Sequence, residues 1–574
     1  MRRVFRPALA LASVALLAAG CGAQGSLTNA GTAPASGGTA VVALPVQTSP
    51  NWFFPLLSLQ ADSTINSEIT ELSYLPLVYF GPTNHLSTYY GLASSVTYNS
   101  AGTRFVVHLN PKYHWSNGAP VTASDVVFTY DIMRAGSLPN ENYAWTFAGQ
   151  GSGGMPNDWK SVTADGPHTV VITTTKPVNQ QWFIRNGIGE IIPVPKAVWD
   201  KYPHNMTKEM AFINSVSNSP NNPVYRVVDG PWKFHSMSPN DFWEFVPNTR
   251  FGGHKAYLSK LIFQYETSDA TEFEGLREGT INYGYLPASY LGDMSELPND
   301  VFKPEYSLGF NYIQLNLSPK APNGIGKAFQ QLPVRQALQM GVDEPGIIKT
   351  IYHGYAAMVD TTLATEPPNP FFDPALKTPP YPFNPRKGKE ILEKAGWHLV
   401  NGVMTKNGIK LEFTMYCASG SHSYDDVDQL LKQDWQKEGI IANIVYQPFD
   451  TVISYSTSDA NKWQVLNWNG GWGYASAYPS GGVLFLTNAA ENSGDYSSET
   501  MNKLIEATYQ PANYQNTLKH MYAYEEYAAK QLPAVIYIPE VPTYTVHAKN
   551  LHNTIRTYNE IGGWIFPNEW WVSN

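Results

Sequence analysis

Cysteine is almost missing from this chain: 574 residues contain two, Cys21 and Cys417. That scarcity excludes a disulfide-stapled scaffold and a cysteine-rich zinc site. Charge is also sparse, with Asp, Glu, Lys and Arg together at 15% and a net charge of −9. No run of Lys or Arg occurs, so the electrostatic footprint of a nucleic-acid binder is absent. No stretch reaches the roughly 18 uninterrupted apolar residues that a membrane-spanning helix needs. There is no Gly-x-Ser-x-Gly elbow, no HExxH, no Walker loop and no CxxC, so no catalytic residue is assigned. His547 and His552 lie five apart without an acidic or cysteine partner pattern. Neither a metal site nor a cofactor is expected from them.

What is present first is an address. Arg2, Arg3 and Arg6 precede an apolar run at 8–19, too short to span a bilayer well. Ala18, Ala19 and Gly20 then lead into Cys21. The segment resembles a bacterial lipobox, with residues 1–20 as signal peptide and Cys21 as the lipidated mature terminus. The preferred Leu three residues before the cysteine is here Ala18, with Leu17 one position further back. Residues 22–38 are uncharged and rich in Gly, Ser, Ala, Thr and Asn, the composition of a flexible tether. With Cys21 carrying lipid, Cys417 has no partner, and its apolar setting reads as a buried structural thiol.

The rest of the chain has globular composition, 43% hydrophobic with 16 Trp and 35 Tyr. Its length exceeds one ordinary core, so two or three lobes are expected. Strands are expected at 39–45, 168–174, 243–247, 259–265, 411–416, 440–446 and 534–538, and a hairpin at 92–109 turning at Asn99-Ser100-Ala101-Gly102. Helices are expected at 67–77, 269–279, 334–342, 346–352, 384–396 and 425–438. Residues 500–531 read as mostly helical. Thr122 or Ser124 can cap a further helix, with Asp125 in its first turn and Val126, Val127 and Tyr130 on its apolar face. Strands and helices alternate along the whole length, which indicates α/β lobes and not a sandwich.

The residues at 104–133 carry a specific likeness. Trp115, Ser116, Asn117, Gly118, Pro120, Thr122, Ala123, Asp125, Val126 and Tyr130 fall on the pattern W-S-(D/N)-G-x-P-(V/L)-T-A-x-D-V-x-F-(S/T)-Y. Four more blocks follow in order, at 228–234, 312–316, 334–354 and 384–397. Together they resemble the family 5 extracellular solute-binding proteins, the dipeptide, oligopeptide and nickel binding group, over about residues 40–570. The resemblance implies a two-lobed periplasmic-binding-protein-like α/β fold (class II, large family 5 type) with a ligand cleft between the lobes. Lobe I would comprise 39–75, 218–305 and 538–574, with an extra subdomain at 76–217, and lobe II 306–537. Most matched residues read as structural: Asp125 as a helix-start group, Gly230 and Pro231 as a turn, Arg335 as a packed or paired helix-start residue.

The resemblance further implies a monomeric, non-enzymatic binding component of an ABC importer. It would be anchored by lipid at the outer face of the cytoplasmic membrane and would pass its small-molecule ligand to a permease and ATPase complex. Peptides are the commonest ligands of the family. Members that bind them use W-x-x-D, whose Asp pairs with the ligand ammonium. Here Trp472 matches the Trp and Ala475 stands at the Asp position, and no Asp or Glu occurs from 462 to 490. The same run offers Trp468, Asn469, Trp472, Gly473, Tyr474 and Tyr478 as ligand-binding candidates, a set of aromatic faces and amides that also suits oligosaccharides. Asn51 and Trp52, after the first strand, are the candidates from the opposite wall.

Overall fold

The computed structural model describes residues 34–80, 85–138, 143–554 and 557–573. Cys21, the expected signal segment at 1–20 and most of the expected tether at 22–38 lie outside them. No helix among the described residues is long and apolar enough to cross a membrane.

Two sheets organise the molecule. The larger has seven strands, in the order Asp300–Glu305, Thr543–Ala548, Tyr283–Tyr285, Thr39–Ala43, Lys260–Gln264, Phe242–Pro247 and Trp232–Ser238. Its centre is the first strand, which pairs in parallel with both neighbours. Ala40, Val42 and Ala43 have no exposed surface, as a central strand covered on both faces requires. The second sheet has five strands, in the order Ile441–Gln447, Glu412–Ala418, Val465–Asn467, Tyr312–Leu315 and Val535–Tyr537.

The chain passes between these sheets twice. Asp300–Glu305 and Thr543–Ala548 are antiparallel neighbours in the first sheet. Their continuations, Tyr312–Leu315 and Val535–Tyr537, are antiparallel neighbours in the second. The two lobes are therefore joined by a pair of adjacent crossings, and the cavity opens beside them.

A third unit is inserted into the first lobe. Ala93–Tyr98, Arg104–Leu109, Thr169–Thr174 and Trp159–Ala164 form an antiparallel four-stranded sheet. Helix Ala123–Gly136 covers it, with Tyr130 stacked on Trp159 at 5.5 Å between ring centres. The Trp-Ser-Asn-Gly block fixes that helix through one carboxylate. Asp125 accepts from the backbone N–H of Thr122 at 2.8 Å, the indole N–H of Trp115 at 3.3 Å and the backbone N–H of Lys196 at 2.8 Å. Thr122 completes a capping box with it.

Most expected elements are present within a few residues. The helix expected at 67–77 runs Thr64–Ser73, because the Ser63 side chain caps it at Asn66 and Pro76 follows its end. The helical stretch expected at 500–531 is two helices, Glu499–Tyr509 and Tyr514–Gln531, interrupted around Pro511. Helices Gln180–Asn186 and Met206–Val216 were not among the sequence expectations. Cys417 is buried on strand Glu412–Ala418.

Candidate ligand cleft

A cavity of about 590 Å³ lies between the lobes, within the size range of small-molecule sites. The lobes touch around it. The Asp269 carboxylate accepts from Ser421 Oγ at 3.0 Å and from the His422 backbone N–H at 3.1 Å. On the insertion side, Trp182 stacks on Tyr509 at 4.0 Å, and Asn186 Nδ2 donates to the Tyr478 carbonyl at 3.1 Å. Ser476 is hydrogen-bonded to Asn186 as well.

The run 467–479 forms one wall. Strand Val465–Asn467 delivers it from the five-stranded sheet, and the Asn467 side chain donates to Asp428 at 2.7 Å. Trp472–Gly473 then pairs with Gly309–Phe310, beside the first crossing. This places Trp468, Asn469, Trp472, Gly473, Tyr474 and Tyr478 on the cavity lining, together with Ala475. Their polar groups are in different states. The Tyr474 hydroxyl donates to the Thr362 carbonyl at 2.8 Å, and the Tyr478 hydroxyl to the Thr508 carbonyl at 2.6 Å. Trp468 Nε1 donates to the Gly471 carbonyl at 3.0 Å. These three are tied into the framework. Asn469 Nδ2 and Trp472 Nε1 are buried donors with no partner among the described residues.

Asn51 and Trp52 are placed elsewhere, outside the cavity lining. The Trp52 indole donates to the Leu56 carbonyl at 3.0 Å and packs edge-on to Trp145 at 5.4 Å. The Asn51 side chain accepts from Asn66 Nδ2 at 2.8 Å. Both serve the turn after the first strand, whose apolar composition, Trp-Phe-Phe, suits a core.

The opposite wall is acidic, a feature the sequence reading did not single out. Glu68 and Glu71 sit three apart on helix Thr64–Ser73 and so share a face. Asp62 precedes that helix. Glu190 follows the insertion helix Gln180–Asn186 and accepts from Ser152 Oγ at 3.0 Å. Glu491 comes from the second lobe. All five line the cavity. Burial raises their carboxyls: Asp62 to about 6, Glu190 to about 7, and Glu68 and Glu71 to about 8. Burial also pushes Glu491 well up, and the neighbouring Asp62 adds to the shift. Among the described lining residues the basic side chain is Arg185, hydrogen-bonded to Gln181 and lying over the Phe80 ring at 4.3 Å. No group of three or more His, Cys, Asp or Glu among the described residues is arranged to hold a metal ion. These carboxyls were invisible as a set because they are scattered over more than four hundred positions and meet only in the fold.

Residues 87–493 match the family described as bacterial extracellular solute-binding proteins, family 5. The chain belongs to that family. Its members are solute-binding proteins. The oligopeptide-binding protein AppA of Bacillus subtilis is 23% identical over 354 residues, which covers 61% of this chain and 59% of that protein. The chain thus matches about three fifths of the length of this relative. The solved structure of the same AppA, in complex with a nonapeptide, superposes with a TM-score of 0.80 at 19% identity, covering 94% of this chain and 100% of that one. NikZ of Campylobacter jejuni, in complex with Ni(L-His), superposes with a TM-score of 0.74 at 22% identity, covering 93% and 99%. At these identities the structural likeness defines the fold, two lobes of the family 5 type with a cleft between them.

Proposed function

We propose that this chain is the extracytoplasmic solute-binding component of an ABC importer, capturing short peptides in the interlobe cavity and delivering them to a permease. The observation that carries the reading is the cavity itself, walled by both lobes and holding unused buried donors at Asn469 and Trp472. Peptide carbonyls are the complementary acceptors, and an unmade hydrogen bond at a buried donor costs about 1–3 kcal/mol. The likeness to the AppA oligopeptide-binding protein supports the same ligand class. The candidate binding residues are Trp468, Asn469, Trp472, Gly473, Tyr474 and Tyr478.

Capture works by lobe closure, in which ligand contacts to both walls favour the closed arrangement. Sheet membership supports lobe I as 39–75, 218–305 and 538–574, the insertion as 76–217 and lobe II as 306–537. Lipidation at Cys21 anchors the protein, as a monomer, outside the cytoplasmic membrane. The test is a thermal-shift screen of the full chain against di- to pentapeptides and cello- and manno-oligosaccharides. A ligand of the folded state adds about 2.7 kcal/mol at a hundredfold excess over Kd. A shift with peptides supports the reading, and a shift with sugars alone overturns it.

A further inference from the structure

We propose that the cleft selects cationic ligands, those carrying two or more ammonium or guanidinium groups, through the acidic wall of Glu68, Glu71, Glu190, Asp62 and Glu491. The proposal rests on the reading of this cavity as the capture site and specifies what enters it.

The geometry carries the argument. Glu68 is 3% exposed, and its Oε1 has no hydrogen-bond partner among the described residues. The same is true of one oxygen each of Glu71 and Glu491. Buried carboxyls in proteins are paired with cations, hydrogen-bonded or bound to metals. Here the pairing is incomplete and no metal-holding group accompanies it. The groups also follow one another in a connected run. Glu68 acts electrostatically on Glu71, Glu71 is in turn raised by Glu190, Glu190 by Asp62, and Asp62 shares a hydrogen bond with Glu491.

Such a run of buried, crowded carboxyls resists ionisation in the empty protein and is tolerated where function uses it. It is relieved by counter-charge from the ligand. One ammonium cannot serve the whole run, which reaches from helix Thr64–Ser73 to the second lobe, so more than one cationic group is called for. Gly473 on the aromatic wall leaves room for an extended side chain, since a Cβ there meets nothing within 4 Å. Ala475, which lines the same cavity in place of an acidic anchor, removes the anionic point contact from that wall. Recognition of positive charge is thereby moved across the cleft. Ammonium groups could come from basic peptide side chains or from a free polyamine, and the experiment separates the two.

The full chain is titrated calorimetrically at neutral pH with Lys-Ala-Lys, Ala-Ala-Ala, Glu-Ala-Glu and spermidine. The expected result is that Lys-Ala-Lys binds about tenfold or more tighter than Ala-Ala-Ala, and that Glu-Ala-Glu binds weakest. Glu71→Gln, and independently Glu68→Gln, reduce Lys-Ala-Lys affinity by a larger factor than Ala-Ala-Ala affinity, a split that a purely structural role would not produce. Equal affinity for the three tripeptides overturns the cationic preference and leaves peptide capture standing. Binding of spermidine without any tripeptide supports the preference and overturns peptide capture. Absence of heat with all four probes overturns both.

Discussion

Asp62, from the first lobe, and Glu491, from the second, meet across the cleft as a hydrogen-bonded carboxyl pair. Two carboxyls can share such a contact only while one holds a proton. Burial raises both carboxyls, and the neighbouring Asp62 adds to the shift at Glu491, so the pair keeps its shared proton above the usual carboxylate range. The pair is a bond between lobes in acid and a repulsion in base. Glu491→Gln keeps a donor without the ionisation. This variant is expected to match the wild type in thermal stability at pH 5 and to exceed it at pH 8, as read by melting curves at the two pH values.

The whole acidic wall gives a wider pH dependence. A carboxyl whose folded pKa lies above its unfolded value binds its proton more tightly in the fold. Its contribution is fully present below the unfolded pKa, about 4, and is lost as pH rises through the folded pKa. Asp62 at about 6, Glu190 at about 7, and Glu68 and Glu71 at about 8 all shift in this direction. The ligand-free protein is therefore expected to lose stability between pH 5 and pH 8. Urea midpoints measured across that interval check the sign, and a rising midpoint would contradict it.

Trp472 and Tyr478 line the same cavity but separate in their roles. Trp472 Nε1 has no partner among the described residues, and the ring is half-buried at the cleft. Trp472→Ala is expected to weaken ligand binding by roughly 1–3 kcal/mol while leaving the melting temperature of the free protein nearly unchanged. Tyr478→Phe removes the hydroxyl that donates to Thr508. It is expected to cost about 1 kcal/mol of stability and little affinity. Paired calorimetry and denaturation of the two variants distinguish the roles.

Asp125 tests the structural reading of the sequence block 115–130. Asp125→Ala strips the acceptor from Thr122, Trp115 and Lys196 together. A loss of roughly 2–3 kcal/mol in unfolding free energy is expected, from a lost cap and buried donors left unpaired. Ligand affinity per folded molecule should not change, because Asp125 does not line the cavity.

The fold was largely legible because its signals are local. Turn residues at Asn99–Gly102, the cap at Thr122, and Gly279 ending helix Asp269–Glu278 at φ +72° act within one or two turns of chain. Arg335 was expected to pack or pair at a helix start, and it clamps the Phe329 and Gln531 carbonyls. The aromatic wall was legible because one continuous run, 467–479, supplies it. The acidic wall was not, because Asp62, Glu190 and Glu491 come from three distant segments and each alone resembles a solvated charge. Trp52 misled for the converse reason: an aromatic after a first strand is equally suited to a core, and Trp145, which covers it, lies far away in sequence.

The central claim is that ligand is held between the lobes, and Gly473 offers the most direct test of it. Gly473 lines the cavity, and a side chain there would project into open space. Gly473→Phe should therefore fold normally and fill the cleft. Calorimetric titration of wild type and variant with the peptide that shifts the wild-type melting curve decides the matter. The account predicts one-to-one binding by the wild type and none by a Gly473→Phe protein of unchanged melting temperature. Equal binding by both would place the ligand outside this cavity and contradict the account.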